Sequence, residues 1–261
     1  MSRNQPLSGR LFLLKEMVVR DLRSRYAGSG LGVLWAFALP ILWMVLYTLV
    51  FAVILRVSVE PGYASFPEFL MAGLLPWMAV QEGISRSTSA VTDNAALVKK
   101  TVFPIETLVL SVILAAIVNQ GIGFVVYGIY VALLGHFSFT WVLLAIPALF
   151  LQLLLTFGVG CLAATITTFV RDAAQAVTIV LTVVFWATPI VYSPSLVPEK
   201  YRWIVAANPI SHLVEWYRRA FTLHLPPRPE SAAYLVLCSL IAAAVGIAAF
   251  AYGRPHFPDL V

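Results

Sequence analysis

The side chains in this sequence that could ligate a metal or move a proton are four histidines, two cysteines and a small set of carboxylates. His136, His212, His224 and His256 fall in loops or tails, and no pair has the spacing a metal site uses. Cys161 and Cys238 lie inside long apolar runs, where a thiol behaves as a small hydrophobe, so they indicate neither a disulfide framework nor a metal. Glu68, Glu82 and Glu106 sit near the ends of such runs and the other acids lie outside them. A membrane-embedded hydrolase or transferase would need a buried nucleophile, an acid pair or a metal, and none is visible. A proton- or sodium-coupled carrier keeps ionisable or unwound polar groups near the bilayer midplane, which here is nearly bare. There is no G-x-x-x-x-G-K-[ST] phosphate loop, so ATP-driven work must come from another subunit.

What remains is aromatic. Trp35, Trp43, Tyr47 and Phe51 recur at multiples of four, on one slowly drifting helix face. Phe185, Trp186 and Tyr192 surround Pro189. Two readings are open. Such stripes serve lipid contact and helix packing. They also suit a sugar path, because the apolar C–H face of a pyranose slides over aromatic faces without fixed hydrogen bonds.

The elements that must carry these residues follow from composition. The chain is 61% hydrophobic and 11% charged, beyond what a soluble fold of 261 residues could bury. Lipid offers no partner to a free backbone group, so spans need about 20 mostly apolar residues. Six runs qualify: 31–55, 66–84, 105–134, 141–169, 173–192 and 232–252. The second is the weakest, with Glu68 opening it and Gln81, Glu82 and Arg86 crowding its far end, where Glu82 and Arg86 are spaced to pair on one helix face. The sequence therefore predicts an all-α integral membrane protein: one domain over 1–261, with a cytoplasmic interface helix in 1–30, a six-helix body over 31–252 and a cytoplasmic tail, 253–261. No cleavage pattern follows the basic arm before the first run, so a removable signal peptide is not expected. Eleven of the seventeen Lys and Arg, including Arg20, Arg23, Arg25, Arg86, Lys99, Lys100, Arg171 and Arg254, fall on one side of this plan, which places both termini in the cytoplasm. The net charge of +5 fits anionic headgroups on that side, and no nucleic-acid motif accompanies it.

Between the spans, residues 10–26 read as an interfacial helix with Leu11, Leu14, Val18, Val19, Leu22 and Tyr26 on one arc and Glu16, Arg20, Arg23 and Ser24 opposite. Leu13 and Met17 break this pattern. The helix binds lipid headgroups or docks a cytoplasmic partner. Thr92, Asp93 or Asn94 caps a short helix over 95–100 that ends in two lysines, either a plain positive loop or a knob for a partner. The long segment 193–231 holds Pro198, Asn208 and Pro209 as helix starters and Tyr201, Trp203, Trp216 and Tyr217 as boundary aromatics, which predicts two short interfacial or re-entrant helices on the outer face.

In order, RDLRSRYAGSGLGVLW (20–35), LLPW (74–77), NAALVKKTVFP (94–104), Arg171 with Asp172, TPIVY (188–192) and NPI (208–210) resemble the membrane (permease) subunits of ABC transporters that export lipid-linked polysaccharides such as O-antigen and teichoic acid, the Wzm-like and TagG-like permeases. Each motif alone is weak, but together they cover almost the whole chain. The resemblance implies a bacterial inner-membrane half-transporter that forms a homodimer and joins two cytoplasmic ATP-binding subunits, with ATP and Mg on those subunits and no cofactor in this chain. It implies coupling through Arg20, Asp21, Arg23, Arg25, Asn94, Leu97, Lys99, Lys100, Arg171 and Asp172. It also implies a glycan path along Trp35, Trp43, Tyr47, Phe51, Phe185, Trp186 and Tyr192, and an outer gate at Asn208 and Pro209. For Arg171 and Asp172 a turn with a local ion pair, and for Asn208 and Pro209 a plain helix cap, remain the alternatives. An exporter of drugs or lipids shares this plan, and a channel or carrier working without an ATP-binding partner is a third reading.

Overall fold

The computed structural model describes residues 7–27, 29–32, 34–57, 65–100 and 103–261. Arg3, Gly28, Val33, Thr101 and Val102, which the sequence motifs or charge pattern include, lie outside the described residues. Among the described residues all regular structure is helical. Helix α1 is Leu7–Tyr26 and α2 is Leu34–Tyr47, which continues to Ile54 in wider π turns. Then come α3 (Phe66–Ala90), a 3-10 turn at Thr92–Asn94, α4 (Ala95–Val98), α5 (Glu106–Leu133), α6 (Thr140–Phe169) and α7 (Ala173–Ala187). Last are α8 (Arg202–Ala207), α9 (Pro209–Arg218) with π turns to Leu223, α10 (Pro229–Gly253) and α11 (Phe257–Leu260).

Among the described residues four helices are long and apolar enough to cross a membrane: Leu34–Ile54, Glu106–Leu133, Thr140–Phe169 and Pro229–Leu260. Helix α7 has 15 residues and stops at Ala187, short of the expected end at 192. Pro189 explains the stop, since it has no amide donor and disfavours helical backbone at the residue before it, where Thr188 is extended. Helix α3 has the length to span but carries Glu68, Gln81, Glu82 and Arg86. Glu68 is buried in the middle of the bundle, whereas Glu82 and Arg86 lie toward the far end, where they pair with α1. From Phe66 to Trp77 the residues of α3 are buried with the sole exception of Pro67, and α3 packs on α5 and α6.

Helices α6 and α10 approach closely at Gly158 and Gly246, where any Cβ would run into the facing backbone. Helices α2 and α7 are the opposite of α3: only Ala36 and Pro40 are buried in α2 and only Leu181 in α7. Apolar helices exposed on this scale face lipid or another subunit.

Neutral amides interrupt the apolar runs of α5 and α6. Gln120 on α5 and Gln152 on α6 exchange amide hydrogen bonds, at 3.2 Å from Gln120 and 2.7 Å from Gln152. Gln152 also donates to Pro76 O at 3.3 Å and accepts from Tyr217 Oη at 2.8 Å. Four elements are joined in apolar surroundings, where each unmade bond costs more than in water.

Helix α1 presents a different face from the expected arc. Leu11 and Phe12 are exposed, while Met17 is buried and Leu13 packs beside it. Leu13, Met17, Asp21 and Arg25 form an i, i+4 ridge facing the protein, because the charges at 21 and 25 find partners on α3. The predicted tail is also structured. Gly253 ends α10, Arg254 pairs with Glu106 at 2.6 Å, and Phe257 is fully buried against Phe250.

Candidate functional site

The aromatic stripe of α2 closes one side of a groove of about 260 Å³ lined by Trp43, Tyr47, Leu74, Trp77, Met78, Gln81, Thr182 and Phe185. Helix periodicity places Trp43 and Tyr47 on one face, with ring centroids 5.6 Å apart, and α7 supplies Phe185, 5.8 Å from Trp77. Gln81 and Thr182 add amide and hydroxyl groups to an otherwise apolar and aromatic wall. Such a surface matches the two faces of a sugar ring, apolar C–H patches and equatorial hydroxyls. From the groove the rings continue along α2 and into α3: Tyr47 to Phe51 at 6.0 Å, Phe51 to Phe66 at 6.5 Å, and Phe66 to Phe69 at 6.3 Å.

Three of the expected path residues stand apart from the groove. Trp35 is exposed near the start of α2. Trp186 is more than half exposed and touches Phe185 edge-on at 5.1 Å. Tyr192 turns its hydroxyl to Trp186 O at 2.8 Å, satisfying a carbonyl at the end of α7. Trp77, Gln81 and Thr182 were missed as site residues, although the LLPW motif contains the first. Trp77 and Gln81 are four apart and Thr182 and Phe185 three apart, so helical spacing puts each pair on one face, but only the packing of α3 and α7 brings the two faces to one wall.

At the end of the bundle that holds α1, α4 and α11, the coupling residues divide into exposed and engaged groups. Arg23, Lys99, Lys100, Arg171 and Asp172 are exposed. Arg171 and Asp172 form no ion pair with each other among the described residues. Asp21 and Arg25 are engaged with α3. Arg86 reaches Asp21 through two bonds of 2.6 and 2.5 Å, Arg25 pairs with Glu82, and Arg25 also donates to Asp21 at 3.1 Å. The expected Glu82–Arg86 pair is present only at 3.9 Å, since each side chain has a closer partner on α1.

Asn94 does not cap α4 as its type suggested; it makes no cap bond. Its Nδ2 donates to Ala90 O and its Oδ1 accepts from Arg20 Nη2, both at 3.0 Å. Arg20 and Asn94 thus join two coupling segments far apart in sequence. Below them Met17, Val98, Phe257 and partly buried Leu97 belong to one apolar cluster with Ile105 and Val109 of the α5 start.

At the opposite end, Asn208 is the helix cap its position suggested: its Oδ1 accepts from Ile210 N at 3.0 Å, with Pro209 opening α9. Its Nδ2 also donates to Thr188 Oγ1 at 2.7 Å, so the cap and the broken end of α7 are one unit. Arg218, only 2% exposed, completes it. Its guanidinium donates to Pro189 O and Ile190 O, each at 2.5 Å, and to Phe69 O at 3.1 Å, and it lies 3.5 Å over the Phe69 ring. The Pro189 and Ile190 carbonyls need donors because the chain has left the helix there. The proline in TPIVY is the signal that could have pointed to a buried donor.

Residues 13–222 match the family profile described as ABC-2 type transporter. An O-antigen export system permease protein RfbA of Klebsiella pneumoniae is 31% identical over 265 residues, covering 97% of this chain and 96% of that protein. A protein with the same name from Myxococcus xanthus is 30% identical over 252 residues, 95% of each. A polysialic acid transport protein KpsM of Escherichia coli is 23% identical over 239 residues, 91% of this chain and 92% of that protein.

Proposed function

This chain belongs to the ABC-2 type transporter family, and on that premise we propose that it is the membrane subunit of an exporter moving lipid-linked polysaccharide of O-antigen type across the bacterial inner membrane. The chain is a multi-pass transport component, and the ATPase is a separate subunit. The observation that carries the polysaccharide reading is the groove of Trp43, Tyr47, Trp77 and Phe185 with Gln81 and Thr182. The printed functions of the relatives point the same way.

In this reading α2, α3, α5, α6, α7 and α10 are six spans, α1 lies along the cytoplasmic surface, and α8 and α9 are short re-entrant helices on the outer face. Both termini are cytoplasmic. Two copies pair through the exposed faces of α2 and α7 and enclose the glycan between their grooves. Two ATP-binding subunits, carrying ATP and Mg, dock on Arg23, Lys99, Lys100, Arg171 and Asp172. Asn94 and Arg20 pass their movement to α1, while Asp21 and Arg25 pass it on to α3. Leu97 seats the coupling loop in the apolar cluster. The basic groups of α1 draw in the anionic head of the substrate, and Trp35, Phe51, Trp186 and Tyr192 extend the aromatic surface beyond the groove. Asn208 and Pro209, held to the end of α7, form the outer gate.

Deleting the gene in its host and separating the glycan pools on the two sides of the inner membrane tests this. Polymer trapped in the cytoplasm is expected, and Lys99→Glu with Lys100→Glu should leave the protein inserted while uncoupling ATP hydrolysis from export. A normal surface glycan after deletion, with small amphiphiles transported instead, would replace the polysaccharide reading by that of a drug or lipid exporter.

A further inference from the structure

Beside α8, α9 and the start of α10 lies a cavity of about 540 Å³, walled by Arg202, Ser211, His212, Glu215, Arg218 and Arg228. Three guanidinium groups face it against one lining carboxylate, so its field favours an anion. Ser211, a lining residue, is 6% exposed, and its buried Oγ has no hydrogen-bond partner among the described residues. Arg202 is held by Glu199 at 3.4 Å and by Val197 O at 3.3 Å, and Arg228 by Glu215 at 3.3 Å, on arginine side chains 56% and 65% exposed. Exposed pairs of this kind contribute little and are readily exchanged, whereas a phosphate offers a guanidinium fork a stronger bidentate partner.

His212 and Arg218 fix the walls. The His212 ring lies 2.9 Å from Ala206 O and 2.8 Å from Ser231 Oγ, and Arg218 is spent on three backbone carbonyls while contributing its charge. Depth is set by the neighbours of Arg202: Trp203 and Tyr201 are 67% and 48% exposed, as aromatic residues at headgroup level are. The ring series that leaves the groove through Phe51, Phe66 and Phe69 ends on Arg218, at this cavity.

We propose that the cavity binds the phosphate of a membrane-anchored lipid as it stands in the outer leaflet. The outer placement rests on the transport reading above; the binding chemistry does not. The full-length protein, purified with its ATP-binding subunit, would be placed in phosphatidylcholine nanodiscs doped with phosphatidylglycerol or with a polyisoprenyl diphosphate, and bound lipid measured by native mass spectrometry. Retention of a doped lipid is expected, falling about tenfold or more in Arg202→Gln/Arg228→Gln and less in Arg202→Lys/Arg228→Lys, which keeps the charges and loses the forks. Ser211→Ala should also lower it. Preference for the diphosphate identifies the glycan carrier as the source, and preference for phosphatidylglycerol identifies bulk phospholipid. No retention by the unaltered protein, or equal retention in the glutamine variant, overturns the proposal. Lipid retention that depends on these arginines, in a protein whose deletion leaves surface glycan normal, would remove the polysaccharide reading and keep this site.

Discussion

Arg20 on α1 donates a 3.0 Å hydrogen bond to Asn94 Oδ1, directly linking the surface helix to the loop after α3. Side chains that local pattern assigned to a solvent face and a helix cap are spent on each other. A single bond between exposed groups is worth about 0.5–1.5 kcal/mol, enough to alter how faithfully one segment follows the other without deciding whether the protein folds. Arg20→Ala and Asn94→Ala should each lower export per ATP hydrolysed, and the double variant should be no worse than either single one. Additive losses in that comparison would show that the two side chains act separately.

The four charges of Asp21, Arg25, Glu82 and Arg86 fasten α1 to α3. Asp21→Asn should destabilise the protein by about 1–3 kcal/mol, below the value for a fully buried pair because the Arg86 side chain is 34% exposed. The loss is read as thermal stability in detergent, and the exchange Asp21→Arg with Arg86→Asp should not recover it, because it turns like charges toward Arg25 and Glu82.

Replacing Arg218 tests the staple at the end of α7. Arg218→Met should orphan the carbonyls of Pro189 and Ile190 at about 1–3 kcal/mol each. Arg218→Lys should rescue poorly, because one ammonium cannot reproduce a planar fork that serves three carbonyls while stacking on Phe69. Gly73→Ala should weaken the same junction, since its Cβ would fall 2.9 Å from Val214 Cγ1 and 3.0 Å from Arg218 Nη2.

Within the groove, Trp43→Leu and Tyr47→Leu keep apolar bulk and remove the flat faces. Export should fall several-fold, at about 0.5–1.5 kcal/mol per lost aromatic contact, with ATP hydrolysis retained. Trp186→Leu, outside the groove lining, should lower export less than either. A uniform effect of all three would mean that the aromatic residues matter for lipid packing alone.

The Gln120–Gln152 network gives a stability prediction. Gln152→Leu removes the shared partner of Gln120, Tyr217 and the Pro76 carbonyl, and about 0.6 to 1.7 kcal/mol per bond is the expected scale inside a membrane. Gln120→Leu should cost less, as it leaves the Tyr217 and Pro76 bonds in place.

By itself the sequence determined what the solvent imposes. Long apolar runs with few charges must be helical in lipid, because the backbone can satisfy itself no other way, and four described helices meet that requirement at nearly the expected limits. Local chemistry was equally legible where the partner is a few residues away: Asn208 caps α9, and Pro189 ends α7. Tertiary structure decided the partners of groups that reach across the fold. Asn94 left its cap for Arg20, and Met17, which broke the surface pattern, became the buried contact of α1. Gln120 and Gln152, polar interruptions of two apolar runs, became a junction of four elements. Periodicity sets which residues share a face, but the neighbour that covers that face depends on how helices distant in sequence pack. In lipid that packing is governed by small residues, buried polar bonds and close fit, none of which an apolar run displays.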